Sequence, residues 1–484
     1  MTRPAPEFYR SLDPVHFIGI GGIGMSALAG WMLQRGHRVQ GSDLAANAQT
    51  AWLRTLGARI RIGHAAEHIK DAGLVVASSA VRDDNAEWRA AERRGLPRTR
   101  RAALLGALMQ PFWTITVSGT HGKTTTTSLI AAVLEADGRA PHVINGGVMG
   151  AYGRNVKLGR SRWMVVEADE SDGGFLELPS QISVLTNLDA EHLGQYQGSL
   201  ARLARAFRRY AEQTAFYGCV ILGSDDARLR RLGEALPDRR VRRFGFGAEA
   251  DVRAARLRPQ PQGMNFDLHV RTGGRARKHA DWHLAAHGEH NLRNALAAVA
   301  VGLELEIPLE QMRRALKQFR GTERRFSRIG SWRGAAIYDD YAHHPTEVTA
   351  VLAAARALGK GRVRAIVQPH RYSRVQALFP AFVRALGAAD EVWLLPIYAA
   401  GEKPPGGDAS SEALARALRA RKCAAHAVAE AELPHRLAAD MRADDTLLCM
   451  GAGSISQYAH GLERALTAAT RERTKAPQRV GKRA

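Results

Sequence analysis

Cysteine is scarce in this chain. Cys219, Cys423 and Cys449 are the only three in 484 residues, and no two stand at a disulfide or metal-ligand spacing. That excludes a disulfide scaffold or a zinc ribbon and fits a reducing cytoplasm. Long apolar runs are missing too. None approaches the ~18–20 residues that a membrane-spanning helix needs. The opening segment MTRPAPEFYR has charge without an apolar run behind it, so no secretory signal is expected. Aromatic residues are only 6% of the chain, although its formal charge is +22. A nucleic-acid binder would gather its basic residues on one face or interleave them with aromatic platforms. Here arginines are scattered through alanine-rich stretches such as Ala201–Tyr210. They read as a solvated surface that attracts polyanionic nucleotides, and no nucleic-acid partner is expected.

Hydrophobic residues make up 45% of the sequence, enough for a globular enzyme of two or three domains at this length. Short apolar runs alternate with helical periodicity throughout, which predicts α/β domains with parallel sheets. Strands are expected at Val15–Ile20, Arg38–Gly41 and Leu74–Ala77, with a helix over Gly24–Arg35 stopped by Gly36. The pattern restarts near Gln110-Pro111 with a strand at Thr114–Ser118, a helix from Lys123 to Glu135, and strands at Trp163–Val166 and Ile182–Leu185. A charged stretch, Arg320–Arg325, marks the next boundary. Strands follow at Ala336–Asp339, Val363–Val367, Glu391–Leu395 and Thr446–Met450. The basic end lacks periodicity and predicts a disordered tail over 467–484.

The sharpest motif is Gly119-Thr120-His121-Gly122-Lys123-Thr124-Thr125, set between a strand and a helix N-terminus. Backbone N–H groups and the helix dipole favour phosphate there, Lys123 adds a point charge, and the Thr124 hydroxyl suits magnesium. Val117 stands where the general pattern has its first glycine. A second motif, Gly19-Ile20-Gly21-Gly22-Ile23-Gly24, supplies Gly-x-Gly-x-x-Gly after a strand, with Asp43 ending the next one. Such a turn receives a pyrophosphate from NAD or from a UDP conjugate. No hydride-transfer apparatus accompanies it, which disfavours an oxidoreductase. The runs Glu167–Asp172 and Thr186–His192 each follow a predicted strand, so Glu167 and His192 can reach the crevice of Thr124. A solvated loop is the alternative for the acidic run. Asn291 can either cap its helix or face an adenine edge. Two polar clusters, Asp339–Pro345 and Gln368–Arg374, also follow strands, and their arginines suit carboxylate or phosphate.

The strings HFIGIGGIGMSALAG, GSDL, SGTHGKTTTT, EADESD, GEHNLRNALAA, GTERRF, DDYAHHPTEV, QPHRYSR and GAGSIS together resemble the Mur ligases of peptidoglycan precursor synthesis, across about residues 13–465. The resemblance implies three domains in series. Residues 1–110 would form a Rossmann-like UDP-sugar domain, 111–325 a P-loop ATPase-like domain, and 326–466 a Rossmann-like amino-acid domain. It implies ATP and magnesium as cofactors, in a cytoplasmic monomer or homodimer. Gly19, Gly21, Gly22, Gly24, Asp43 and Ser78 would hold the UDP-sugar. Gly119, Thr120, His121, Gly122, Lys123, Thr124 and Thr125 would hold ATP with Asn291, Asn294, Arg325 and Tyr341. Thr124, Glu167 and His192 would bind the metal, and His343, Arg371 and Arg374 the amino acid; Lys123, Glu167, His192, Arg325 and His343 would be catalytic. The implied reaction joins L-alanine to the lactyl carboxylate of UDP-N-acetylmuramate through an acyl phosphate. A recycling ligase that attaches a ready-made tripeptide is the alternative. Glu191 and Gly194 depart from the aspartates usual around the ligand histidine, and Glu323 stands where glycine is usual.

Overall fold

The computed structural model describes residues 11–191, 193–359, 361–404 and 409–475. It divides into two compact units. One runs to Thr322 apart from residues 259–264 and 287–290, which group with the second unit from Glu323 onward.

The first unit holds two sheets. Its N-terminal sheet is parallel, in the order Arg59–Ile62, Val39–Asp43, Val15–Ile18, Leu74–Ala77, Arg98–Arg100. All four residues of the central strand, Val15–Ile18, are buried, as expected for a parallel strand covered on both faces. The expected extension to Ile20 does not occur. Gly19 adopts φ +78°, ends the strand and opens the turn into the helix Ile23–Gln34. Because strand order reverses beside Val15–Ile18, that turn lies at a topological switch point, where such sheets bind ligands.

The second sheet has ten strands. Trp113–Ser118 lies between Ile182–Leu185 and Trp163–Glu167, parallel to both. The loops after these three strands therefore share one edge. The pair His142–Met149 and Arg154–Lys157 completes one end of the sheet, and Val252–Gln260, Gly263–Thr272 and Arg275–Leu284 the other. None of these five strands was anticipated from sequence.

The buried His142 sits in this unit, 2% exposed, with the rings of Phe112 and Trp31 at 4.8 and 5.9 Å. Its Nδ1 accepts from Trp31 Nε1 (3.4 Å) and the Gly159 N–H (3.1 Å). Burial, helped by the charge of Arg35, pushes the imidazole down to about 4. Unfolded, a histidine titrates near 6.5. The unfolded chain therefore binds the extra proton between these values, and stability falls as pH drops from about 6.5 towards 4. Wild type is expected to lose more stability between pH 7 and 5 than His142→Asn, by up to ~1.4 kcal/mol per pH unit within the window. Equal slopes in urea melts of the two proteins would refute this.

The second unit carries a six-stranded sheet in the order Ser327–Trp332, Ala335–Asp340, Thr446–Met450, Val363–Val367, Glu391–Leu394, Ala424–Ala427. Only the first pair is antiparallel. The expected tail must be corrected in part, because the helix Ile455–Lys475 runs well past residue 467, with Leu466 and Ala469 buried. Those two side chains, four and seven positions after Leu462, continue its apolar stripe. Residues 476–484 lie outside the described residues. Among the described residues no helix is long and apolar enough to cross a membrane.

Candidate active site

The strand Trp113–Ser118 delivers the chain to Gly119 (φ +125°) and Gly122 (φ +82°), and the helix Lys123–Ala136 begins immediately after. Neither glycine could carry a side chain. A Cβ on Gly119 would collide with Thr186, and one on Gly122 with Asn294. The loop is clamped from the neighbouring strand end. Asn187 Oδ1 accepts the His121 N–H (2.9 Å), Thr186 Oγ1 donates to His121 O (2.6 Å), and Thr120 Oγ1 accepts the Asp189 N–H (2.8 Å). His121 Nε2 also lies 3.2 Å from Asp189 Oδ2. Thr125 is buried in the first turn of the helix. Asn294 reaches Gly122 and lies 3.4 Å from Asn291 Oδ1, so both asparagines stand behind the loop.

Lys123 is buried and ion-paired with Glu170 at 2.8 Å. Burial disfavours its charge, but Glu170, Asp169 and Glu167 outweigh that and hold the ammonium well above the ordinary lysine range. Glu167 ends the strand Trp163–Glu167 and accepts the Gly146 N–H at 2.7 Å. Burial raises its carboxyl, while Lys123, that N–H and a hydrogen bond from Thr124 pull it back. Thr124 and Glu167 are thus brought together as oxygen donors, a set that suits magnesium. His192 lies outside the described residues. Gly146 and Gly147 were not identified from sequence. A Cβ on Gly146 would stand 2.6 Å from Glu167 Oε1, and one on Gly147 2.9 Å from Thr124 Cγ2. Two successive glycines inside a strand were the available signal.

At the first sheet, the helix Ile23–Gln34 has no acidic residue in its first turn and no side-chain cap, which leaves its N-terminus open to an anion. Asp43 Oδ2 accepts the Gly21 N–H (2.8 Å), and Asn47 Nδ2 donates to Gly21 O (3.2 Å). Asp43 therefore shapes the turn as well as ending its strand. Gly22 lies at the cap position, Ser78 backs Gly19, and Arg101 lies against Gly24.

The second unit assembles its own cluster. Arg324 (φ +58°) and Phe326 (φ +52°) flank Arg325 in strained left-handed conformations. Asp340 holds this bend by accepting the N–H groups of Phe326 and Ala342, both at 2.6 Å, and burial pushes its carboxyl up to about 6 against the pull of Arg325. Arg324 and Arg325 lie 4.7 and 5.3 Å from the Tyr341 ring centroid. His343 Nδ1 donates to Tyr341 O (2.9 Å). Arg371 has φ +67°, and its N–H donates to Tyr398 O (2.9 Å). Arg374 Nη1 donates to His370 Nδ1 (3.2 Å). Burial, then His343 and the two arginines, push His370 down to about 4, so a neutral ring accepts that bond. His370 stacks on Tyr398 at 5.5 Å and lies 5.8 Å from His343. His343, Arg371 and Arg374 thus share one strand-end cluster. Its other members, His370, Tyr398 and Asp340, were not singled out from sequence, although His370 and Asp340 lie inside the two polar strings.

Three family models match consecutive parts of the chain: Mur ligase family, catalytic domain (14–113), Mur ligase middle domain (117–302), and Mur ligase, glutamate ligase domain (324–453). The UDP-N-acetylmuramate–L-alanine ligase of Acidiphilium cryptum is 45% identical over 95% of this chain and 96% of its own. That of Rhodospirillum centenum is 46% identical over 95% of each. Among solved structures, the UDP-N-acetylmuramate–alanine ligase of Thermotoga maritima superposes with a TM-score of 0.79 at 29% identity, covering 94% of this chain and 99% of that one. A murein peptide ligase from Psychrobacter arcticus shares the fold (TM-score 0.67, 22% identity, 93% and 98% covered). With all three models matched in order over nearly its whole length, this chain belongs to the Mur ligase family.

Proposed function

We propose that the protein is a UDP-N-acetylmuramate–L-alanine ligase, joining L-alanine to the lactyl carboxylate of the UDP-sugar with ATP and magnesium in the cytoplasm. The observation that carries this reading is the 45–46% identity, across 95% of the chain, to relatives of that name. A carboxylate oxygen is a poor leaving group and phosphate a good one. Phosphorylating the lactyl carboxylate therefore lets the alanine amine displace phosphate and form the amide. Lys123 and the N–H groups of Gly119–Thr125 bind and orient the ATP phosphates, and we assign Asn291 and Asn294 to recognition of the adenine. Arg325 and Tyr341 serve the same nucleotide, with Arg325 neutralising charge on the phosphoryl group in transfer. Thr124, Glu167 and His192 would hold magnesium, which when bound would supply charge neutralisation at the phosphoryl oxygens. Gly19, Gly21, Gly22, Gly24, Asp43 and Ser78 receive the UDP-sugar, and His343, Arg371 and Arg374 the amino acid. We assign the domain limits 1–110, 111–325 and 326–466 to these three tasks.

The test is purified protein with ATP, magnesium and UDP-N-acetylmuramate, offered single amino acids or the tripeptide and scored by product mass. Tripeptide product without alanine product would make it the recycling enzyme. Arg371→Lys and Arg374→Lys keep charge but lose the planar fork that pairs with a carboxylate. Each is expected to raise KM for alanine ~10-fold or more, a loss of ~1.4 kcal/mol or greater, with KM for ATP nearly unchanged. Parallel rises in both constants would move these arginines to the phosphates.

A further inference from the structure

Lys123 is folded back onto its own loop. Its ammonium donates to Gly119 O (2.8 Å), Thr120 O (3.2 Å) and both oxygens of Glu170 (2.8 and 3.0 Å). An ammonium has three donors, so these acceptors account for all of them. Glu170 is fully buried, and its backbone carbonyl is fixed by the Tyr196 hydroxyl (2.6 Å) and the Gly173 N–H (3.1 Å). Among the described residues Lys123 is the only cation that reaches its carboxylate. Asp169 beside it is of like sign, 42% exposed and 3.9 Å from the ammonium. Glu170 thus presents to Lys123 what a nucleotide would present: two anionic oxygens in a dry setting.

We propose that Glu170 is a positioning residue that stands in for phosphate, holding Lys123 on its loop until nucleotide phosphates take the ammonium, whereupon Glu170 takes up a proton from solvent. This rests on the reading that Gly119–Thr125 binds ATP. Lys123 remains –NH3+ throughout. One proton leaves the buffer and converts the Glu170 carboxylate to a carboxylic acid, because an unpaired buried charge costs far more than a neutral acid. The groups facing Glu170 reinforce this. Asp169 repels a second negative charge, and Tyr196 donates to the backbone rather than to the carboxylate. Burial already pushes Glu170 up to about 7 with Lys123 in place.

The experiment is calorimetric titration of the full chain with ADP at pH 8, in two buffers of different ionisation enthalpy. Wild type is expected to take up more than ~0.5 proton per ADP bound, since a carboxyl raised beyond the working pH is mostly protonated. Glu170→Gln, which keeps shape but not charge, is expected to bind ADP about 5-fold tighter and show no uptake, because the ammonium no longer leaves a counter-ion. Heat in wild type that is independent of buffer, or equal or weaker ADP binding by a folded Gln variant, would overturn the proposal. If the variant does not fold, the wild-type proton count decides alone. Failure of wild type to bind ADP at all would overturn the phosphate-loop assignment itself, and this inference with it.

Discussion

Lys123→Ala is expected to lower UDP-sugar-dependent ADP release by about 10³-fold or more, corresponding to ~4 kcal/mol of transition-state stabilisation. The charge removed is buried, and among the described residues no other cation pairs with Glu170 beside the loop. UDP-N-acetylmuramate binding, measured by calorimetry, should stay within a few-fold of wild type, since the glycine turn at Gly19–Gly24 belongs to a different sheet. The variant also strands Glu170 without a partner. Breaking a buried pair this way commonly costs 3–5 kcal/mol, but a carboxyl already near 7 can protonate, so a smaller loss of stability is expected. The double variant Lys123→Ala/Glu170→Gln should recover stability and none of the activity. Turnover within tenfold of wild type in either variant would remove Lys123 from the site.

The second large effect is structural. Arg364, on the strand Val363–Val367, has no exposed surface. Its guanidinium meets Glu391 (2.5 Å), Asp440 (2.9 Å) and, more distantly, Asp445 (3.7 Å). Arg362 binds the same two aspartates, at 2.9 and 2.7 Å. Arg364→Ala leaves Asp440 and Asp445 to Arg362 and Glu391 to the His426 ring at 3.5 Å, and Asp445 is itself buried. The expected loss is ~3–5 kcal/mol, or roughly 10 °C in the melting transition of the second unit. The sign with pH follows from Asp445. Burial would raise its carboxyl, but its bonds to Arg362 and the charges of Arg362 and Arg364 prevail and hold it below the ordinary range, so part of the lowering disappears with Arg364. Its stabilising contribution is therefore lost as pH falls through its folded value. The wild-type advantage over Arg364→Ala should accordingly shrink in acid. A calorimetric difference under ~1 kcal/mol at pH 7 would show that water, not Arg364, neutralises these acids.

Much of the architecture was legible because it depends on near neighbours in sequence. Leu74–Ala77, Ile182–Leu185, Val363–Val367 and Thr446–Met450 match the expected strands residue for residue. Strands buried on both faces need largely apolar runs, which a sequence displays directly even when one polar residue interrupts them. The meander strands Val252–Gln260 and Arg275–Leu284 escaped notice for the opposite reason. Arginine occupies many of their positions, and their partly solvated faces dilute the alternation that marks a strand. Arg364 was concealed in the same way. Scattered arginines read as surface, and only its place inside the expected strand Val363–Val367 sets the fully buried Arg364 apart from those around it.

The sequence by itself determined that a phosphate loop joins a buried strand to a helix, that a second glycine turn precedes another helix, and that acids and arginines follow strand ends. Those features are local. Glycine is needed where φ is positive, and a lysine at a helix N-terminus is placed by the chain immediately before it. Only the tertiary structure decided which acid meets Lys123, namely Glu170 rather than its neighbour Asp169, and that Gly146 clears space for Glu167. It also decided that Asp340 braces the bend around Arg325, and that His370 joins Arg374. Apart from His370 and Arg374, four residues apart, these pairings span 14 to 47 residues and depend on strand order and on which way each loop turns. Neither is encoded in any short stretch, because each is settled by the packing of whole sheets and helices against one another.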